Sequence, residues 1–82
     1  MPSVERLRAK LADEGRAFTW QELVSLLRML GYRQEKGSGS RVKFDNGNGE
    51  ALINLHRPHP GNEIKRYARR QILEKLRTGG FI

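Results

Sequence analysis

The repeated Asn-Gly pairs at residues 46–49 constrain what this 82-residue chain can fold into more than any other feature. Asn-Gly is the preferred pair at a tight β-hairpin turn, because both positions must tolerate a positive φ. Residues 41–45 before it alternate polar and apolar side chains, and residues 51–56 after it predict the return strand. The sequence therefore predicts an antiparallel hairpin.

The hairpin also predicts which side chains share a face of the sheet. Any symmetric loop within residues 46–49 pairs an even position on one strand with an odd position on the other. The apolar face then carries Val42, Phe44, Ala51, Ile53 and Leu55. The opposite, open face carries Arg41, Lys43, Leu52, Asn54 and His56. If Asn48-Gly49 forms the turn, Arg41 pairs directly with His56.

A capping-box pattern marks the start of the clearest helix. Thr19 can accept a hydrogen bond from the backbone amide of Glu22, whose carboxylate can reach back to the Thr19 amide. A broad apolar arc follows, and Gly31 is placed to end it. These signals predict a helix over residues 19–30. A first strand is predicted at residues 32–36, where Tyr32, Gln34 and Lys36 alternate with Arg33 and Glu35.

Two further helices complete the pattern. Ser3 and Gly15 bound a short, highly charged helix at residues 3–14. Asn62 is placed to cap a last helix, whose apolar side includes Tyr67. The element order predicts an α+β fold, a three-stranded antiparallel sheet with helices packed on one face plus an extra N-terminal helix.

The length predicts one domain over residues 1–82. Within it, we expect an accessory N-terminal helix in residues 1–17 and the core of the fold in residues 18–78.

The net charge of +7 lies almost wholly in the second half of the chain. Residues 1–30 carry five basic and four acidic side chains, whereas residues 31–82 carry eleven and five. A segregated positive excess favours a polyanionic partner such as nucleic acid, or an acidic protein. The absence of cysteine excludes disulfides and thiolate zinc sites. No apolar run could span a bilayer and the N-terminus lacks the pattern of a secretory signal, so we expect a cytoplasmic protein without a membrane partner.

Part of this charge is predicted to follow one side of the last helix. Arg66, Arg70 and Arg77 share that side and Arg69 flanks it, an arrangement that suits the phosphates of structured RNA. The alternative is a solvated helix face without a ligand.

The order of elements and several short motifs resemble the HicA toxin family over about residues 19–77. Gly39-Ser40 matches the first two residues of the family's Gly-Ser-His signature, Val42-Lys43-Phe44 matches the strand that follows, and His59-Pro60-Gly61 matches its later histidine loop. The resemblance implies a double-stranded-RNA-binding-domain-like αβββα fold. It also implies a toxin that cleaves messenger RNA and is silenced by a HicB antitoxin.

The third position of the signature, where the family has its catalytic histidine, is occupied by Arg41 in this chain. Arginine stays protonated and cannot accept a proton, but it can bind phosphate or stabilise a developing negative charge. His56 becomes the candidate base, because the unperturbed pKa of histidine is near neutral. His59 is the candidate acid or a phosphate ligand. The alternative is that both histidines only shape the loop before the last helix.

No cofactor is expected. The Gly37-Ser38-Gly39-Ser40 turn lacks the lysine and spacing of nucleotide-binding loops, although its amides could meet a phosphate. No carboxylate or thiolate is placed to complete a two-histidine metal site. Trp20, Phe44 and Tyr67 fall on apolar faces, so they are expected in the core and few aromatics would remain exposed for base stacking.

Three functions remain open on these grounds. The first is a HicA-like, metal-independent endoribonuclease that binds messenger RNA through Arg41, Lys43 and the last helix. The second is a non-catalytic RNA-binding module of the same fold, which the presence of Arg41 favours. The third is a protein whose basic face mainly docks an antitoxin.

Overall fold

A computed structural model describes residues 3–59 and 61–82 of the chain. Within them, three helices and a three-stranded antiparallel sheet confirm the predicted α+β fold class. The elements in order are α1 (Val4–Ala12), α2 (Trp20–Met29), β1 (Arg33–Lys36), β2 (Arg41–Asp45), a 3-10 turn (Gly49–Ala51), β3 (Ile53–His56) and α3 (Arg66–Thr78). Met1, Pro2 and Pro60, which fall in the predicted N-terminal segment and histidine loop, lie outside the described residues.

The sheet has the order β1-β2-β3, and its register confirms the predicted division into two faces. Val42 pairs with Leu55, and Arg41 pairs with His56, as expected for a hairpin centred on Asn48-Gly49. Val42 and Leu55 are buried beneath the helices, whereas Arg41 and His56 are exposed on the open face. The predicted strand pairing thus gave the correct cross-strand neighbour of His56, which is Arg41.

The predicted tight Asn-Gly turn does not form, because Asn48 has a φ of −104° and β2 and β3 are joined by the longer connection of residues 46–52. The return strand therefore begins later than predicted, although the register is the one expected. Residues 49–51 form a 3-10 turn rather than the start of β3, and the Asn48 side chain caps it by accepting a hydrogen bond from the Glu50 amide at 3.0 Å. Ala51 is nevertheless fully buried, because the turn carries it under α3.

Both predicted caps of α2 are confirmed. The Thr19 hydroxyl accepts from the Glu22 amide at 3.2 Å, and the Glu22 carboxylate accepts from the Thr19 amide at 3.0 Å. Gly31 ends the helix with a φ of +88°, and the next amide, of Tyr32, donates to the Leu27 carbonyl at 2.9 Å. The helix therefore presents its apolar arc, including the buried Trp20, to the sheet.

The start of α3 was predicted wrongly. Asn62 does not cap a helix, because residues 62–64 are held against residues 18–20 by backbone hydrogen bonds. The Trp20 amide donates to the Asn62 carbonyl at 2.7 Å, and the Ile64 amide donates to the Phe18 carbonyl at 2.8 Å. This pairing delays the helix to Arg66 and leaves the described residues 57–59 and 61–65 outside the helices and the three strands, beside the open end of β3.

Arg69 is buried, so its predicted place beside the basic stripe is wrong. It lies three residues before Ile72 and seven before Leu76, which puts it on the apolar face of α3. Its guanidinium donates to main-chain carbonyls at the C-terminal end of α1 and just beyond it, those of Lys10, Leu11, Asp13 and Arg16. A cation at the end of a helix satisfies carbonyls that have no partner within that helix.

Arg69 therefore fastens α1 to α3. The helix expected to be accessory also contributes Leu7 and Leu11 to the common core, which the two remaining helices and the sheet complete. Within the described residues, no helix has the length and apolar character needed to cross a membrane.

Candidate active-site groove

The turn between β1 and β2 places Ser40 at the open end of the hairpin. The Gly37 amide donates to the Arg41 carbonyl at 2.8 Å, and Gly39 adopts a φ of +65°, which favours glycine at this position. The Ser40 carbonyl then accepts from the Arg57 amide at 2.8 Å. Pairing between the two chain segments thus extends one residue beyond β2 and β3.

The extension brings the Ser40 side chain to His56. Ser40 Oγ lies 3.2 Å from Nδ1 of His56, and the direction of the hydrogen bond depends on the imidazole tautomer. Because Nδ1 is engaged, Nε2 is the ring nitrogen left for a substrate. The predicted hairpin register does not account for this contact, because it places Ser40 opposite Arg57 rather than opposite His56.

His56 and His59 line one groove between the segment after β3 and the start of α3. The groove has a volume of about 380 Å³. Its polar lining includes Ser40, His56, Arg57, His59, Glu63 and Lys65, and Tyr67 lies beside them. The structure therefore brings the two candidate acid–base residues together with a hydroxyl group, two cations and the Glu63 carboxylate.

Arg41 and Lys43 lie in a neighbouring groove of about 320 Å³ on the open face of the sheet. His56 lines both grooves, so it stands where they meet. Lys43 is half-exposed and lies 3.7 Å from the Glu35 carboxylate, whereas Arg41 is exposed. The predicted open-face cations are thus next to His56 but do not line the groove that holds His59.

The basic stripe on α3 is exposed but partly paired. Arg70 Nε lies 3.1 Å and Arg66 Nε 3.9 Å from the carboxylate oxygens of Glu14, in the connection between α1 and α2. Arg77 is exposed in the last turn of α3. The sequence pattern of the helix alone does not show this pairing, because Glu14 faces the stripe only in the folded chain.

Tyr67 is exposed, contrary to its predicted place in the core. Its side chain is 70% exposed, whereas Trp20 and Phe44 are buried as predicted. Tyr67 lies five residues before Ile72, about 140° around the helix, which places it on the far side of α3 from the core. The groove therefore contains an aromatic ring that sequence reasoning assigned to the interior.

Arg57, Glu63 and Lys65 also line the groove and were not among the predicted site residues. All three lie between β3 and α3, where no regular element provides a periodicity from which the orientation of a side chain can be predicted. Among residues 3–59 and 61–82, no group of three or more His, Cys, Asp or Glu side chains could hold a metal ion.

The sequence model of the HicA toxin of bacterial toxin–antitoxin systems matches residues 20–77 of this chain. The match runs from the first residue of α2 into the last turn of α3 and covers well over half of the chain. It includes Ser40, His56 and His59. Searches of curated proteins and of solved structures found no match.

Proposed function

The chain belongs to the HicA toxin family of bacterial toxin–antitoxin systems, and on that premise we propose that it is a metal-independent endoribonuclease that cleaves messenger RNA. Family membership implies an antitoxin partner. We propose that this partner is HicB-like and that both proteins act in the cytoplasm.

The observation that carries the proposal is the groove shared by His56 and His59. Cleavage of RNA by its own 2′-hydroxyl needs a base, an acid and stabilisation of negative charge on the phosphate. Two imidazoles can act as base and acid near neutral pH. Arg57 and Lys65 in the same groove, with Arg41 beside His56, supply the positive charge.

We assign the base to His56 because its Nδ1 is held by Ser40. In the tautomer that carries its proton on Nδ1, His56 donates to Ser40 Oγ and keeps Nε2 unprotonated. Nε2 takes the proton of the 2′-hydroxyl while the 2′-oxygen bonds to phosphorus. The bond from phosphorus to the 5′-oxygen breaks, and protonated His59 gives its proton to that leaving oxygen. The products are a 2′,3′-cyclic phosphate and a 5′-hydroxyl end.

RNA binding is proposed to follow the cations around His56. Arg41 and Lys43 would meet the strand on the open face of the sheet, and Arg57 and Lys65 would meet it in the groove. The exposed stripe of Arg66, Arg70 and Arg77 remains a predicted RNA contact, which Glu14 weakens at two of its three positions.

Arg41 favours a second function, a non-catalytic RNA-binding module. It occupies the position of the family's histidine, and arginine cannot take a proton from a hydroxyl. An antitoxin could cover the same basic surface in either case, so antitoxin docking does not distinguish the two.

Cleavage in EDTA by the full-length protein, purified free of antitoxin, tests the proposal. We expect RNA fragments that end in 2′,3′-cyclic phosphate. RNA binding without fragments would overturn the endoribonuclease and favour the binding module. Gln34→Ala, a substitution of an exposed side chain on β1, controls for the effect of a surface substitution in itself, and its fragments should equal those of the wild type.

A further inference from the structure

Tyr67 is the most exposed of the large apolar side chains among the described residues, with 70% of its surface accessible. Burial of an aromatic ring stabilises the folded state substantially, and the exposed ring of Tyr67 supplies little of this stabilisation. Its position on α3 therefore calls for a role outside the core.

The surroundings of Tyr67 are those of a nucleotide site. The ring lies in the groove of the two histidines, on the opposite side of the helix from the core. Arg57 and Lys65 line the same groove and can bind phosphates of the strand, and the Glu63 carboxylate lines it as well. An aromatic ring in a groove with cations is an arrangement with which proteins bind unpaired nucleotides, because every base offers a face for stacking.

We propose that Tyr67 stacks on the base of an unpaired nucleotide beside the phosphate held by His56 and His59. The substrate of the groove is then single-stranded RNA, even though the fold resembles a double-stranded-RNA-binding domain. In an A-form duplex each base is stacked between its neighbours, so no face is available to Tyr67. This inference rests on the proposed function, because it takes RNA as the ligand.

Binding of a 2′-O-methyl oligonucleotide, which lacks the attacking hydroxyl, tests the inference without cleavage. The strand carries a 2-aminopurine whose fluorescence falls on stacking, and a second sample is annealed to its complement. We expect the wild type and Tyr67→Phe to bind the single strand and quench its fluorescence. Tyr67→Ala should bind it about tenfold or more weakly, with unchanged salt dependence and unchanged affinity for the duplex.

Met29→Ala is the matched control, because Met29 is an apolar side chain exposed on α2, away from the groove. Its affinity and quenching should equal those of the wild type. If Tyr67→Ala bound the single strand with wild-type affinity, the stacking role would be overturned but RNA binding would stand. If Tyr67→Ala lost antitoxin binding while its RNA affinity was unchanged, the stacking role would also be overturned and Tyr67 would be assigned to the antitoxin interface. Failure of the wild type itself to bind RNA would overturn both this inference and the proposed function.

Discussion

Ser40, the turn residue just before β2, has its Oγ 3.2 Å from Nδ1 of His56, the last residue of β3. The same register pairs Arg41 with His56, so the position where the resembling family keeps its histidine is the cross-strand neighbour of a histidine in this chain. Side chains paired in this way lie about 5 Å apart at Cβ. The imidazole of His56 therefore lies next to the position at which this chain has Arg41 instead of the family's histidine.

Replacing Ser40 by alanine tests whether this contact positions His56. Without the hydroxyl, the imidazole loses the partner that fixes its tautomer and ring orientation. We expect the Ser40→Ala variant to lose about tenfold in kcat, because small misplacements of a reacting group are costly. KM should stay unchanged, and a single-turnover cleavage assay with varied RNA concentration separates the two.

Ser38→Ala is the control for Ser40, since Ser38 lies in the same turn and is exposed. It should keep the wild-type kcat, and Ser40→Thr, which retains a hydroxyl, should recover most of it. Equal rates for Ser40→Ala and the wild type would rule out a positioning role.

The groove cations should contribute more to RNA binding than the stripe on α3. Arg57→Gln combined with Lys65→Gln removes two charges from the histidine groove. Each lost phosphate contact should lower the slope of log affinity against log salt by about one. Arg66→Gln combined with Arg70→Gln removes the same charge, but Glu14 already pairs with both residues, so we expect a smaller change.

Affinities of both double variants at several salt concentrations decide the comparison. A larger loss of slope in the α3 variant would place the RNA on the stripe instead of the groove.

Arg69 should be essential to stability and not to RNA binding. Arg69→Met leaves the carbonyls at the end of α1 buried without a donor, and we expect a loss of about 3 kcal/mol. For a domain of this size that lowers Tm by more than about 10 °C in calorimetry.

Arg70→Met provides the comparison, because the Arg70 side chain is 66% exposed and its only carboxylate contact is to Glu14 among the described residues. Its stability should change by no more than about 0.5 kcal/mol. A small effect at Arg69, equal to that at Arg70, would show that α1 is held by its apolar contacts alone.

Glu22 gives the fold a defined response to acid. Partial burial works to raise the pKa of Glu22, but hydrogen bonds from Lys10 and Thr19 outweigh it, and the pKa lies below its ordinary value of 4.5. A lowered pKa stabilises the folded state above pH 4.5, and that contribution is lost as the pH falls through the folded-state value.

Glu22→Gln keeps the capping geometry but removes the negative charge that pairs with Lys10. In the wild type, Lys10 Nζ lies 2.5 Å from Oε2 of Glu22. We expect it to lower the free energy of unfolding at neutral pH by about 0.5 kcal/mol. Urea unfolding across pH 3–7 should show this difference shrinking below pH 4.5. Glu74→Gln, on the exposed side of α3, should show no comparable difference, and a constant gap at all pH values would contradict the charge-based account.

The sequence predicted the fold well wherever a regular pattern extended over several residues. The alternation in β2 and the Asn-Gly pairs set the register of His56, and the capping box set the start of α2. The errors arose where contacts between distant segments decided the structure. The pairing of residues 62–64 with residues 18–20 delayed α3, and no local pattern records that pairing.

The candidate site likewise combines features that a local pattern predicts with features that depend on distant contacts. His56 and His59 could be named from sequence, but their common groove depends on where α3 starts. Tyr67 and Arg69 are different, because their spacing from Ile72 already placed Tyr67 on the far side of α3 and Arg69 on its apolar face. A strict count of helical positions would have found both.

Metal-free RNA cleavage by a variant without either histidine tests the central claim most directly. The rate in EDTA of the His56→Ala/His59→Ala double variant is compared with that of the wild type, with RNA binding measured on the same samples. Because acid–base catalysis contributes at least about a hundredfold, we predict a fall of that size or more, with RNA still bound. Cleavage at the wild-type rate by the double variant would contradict the account.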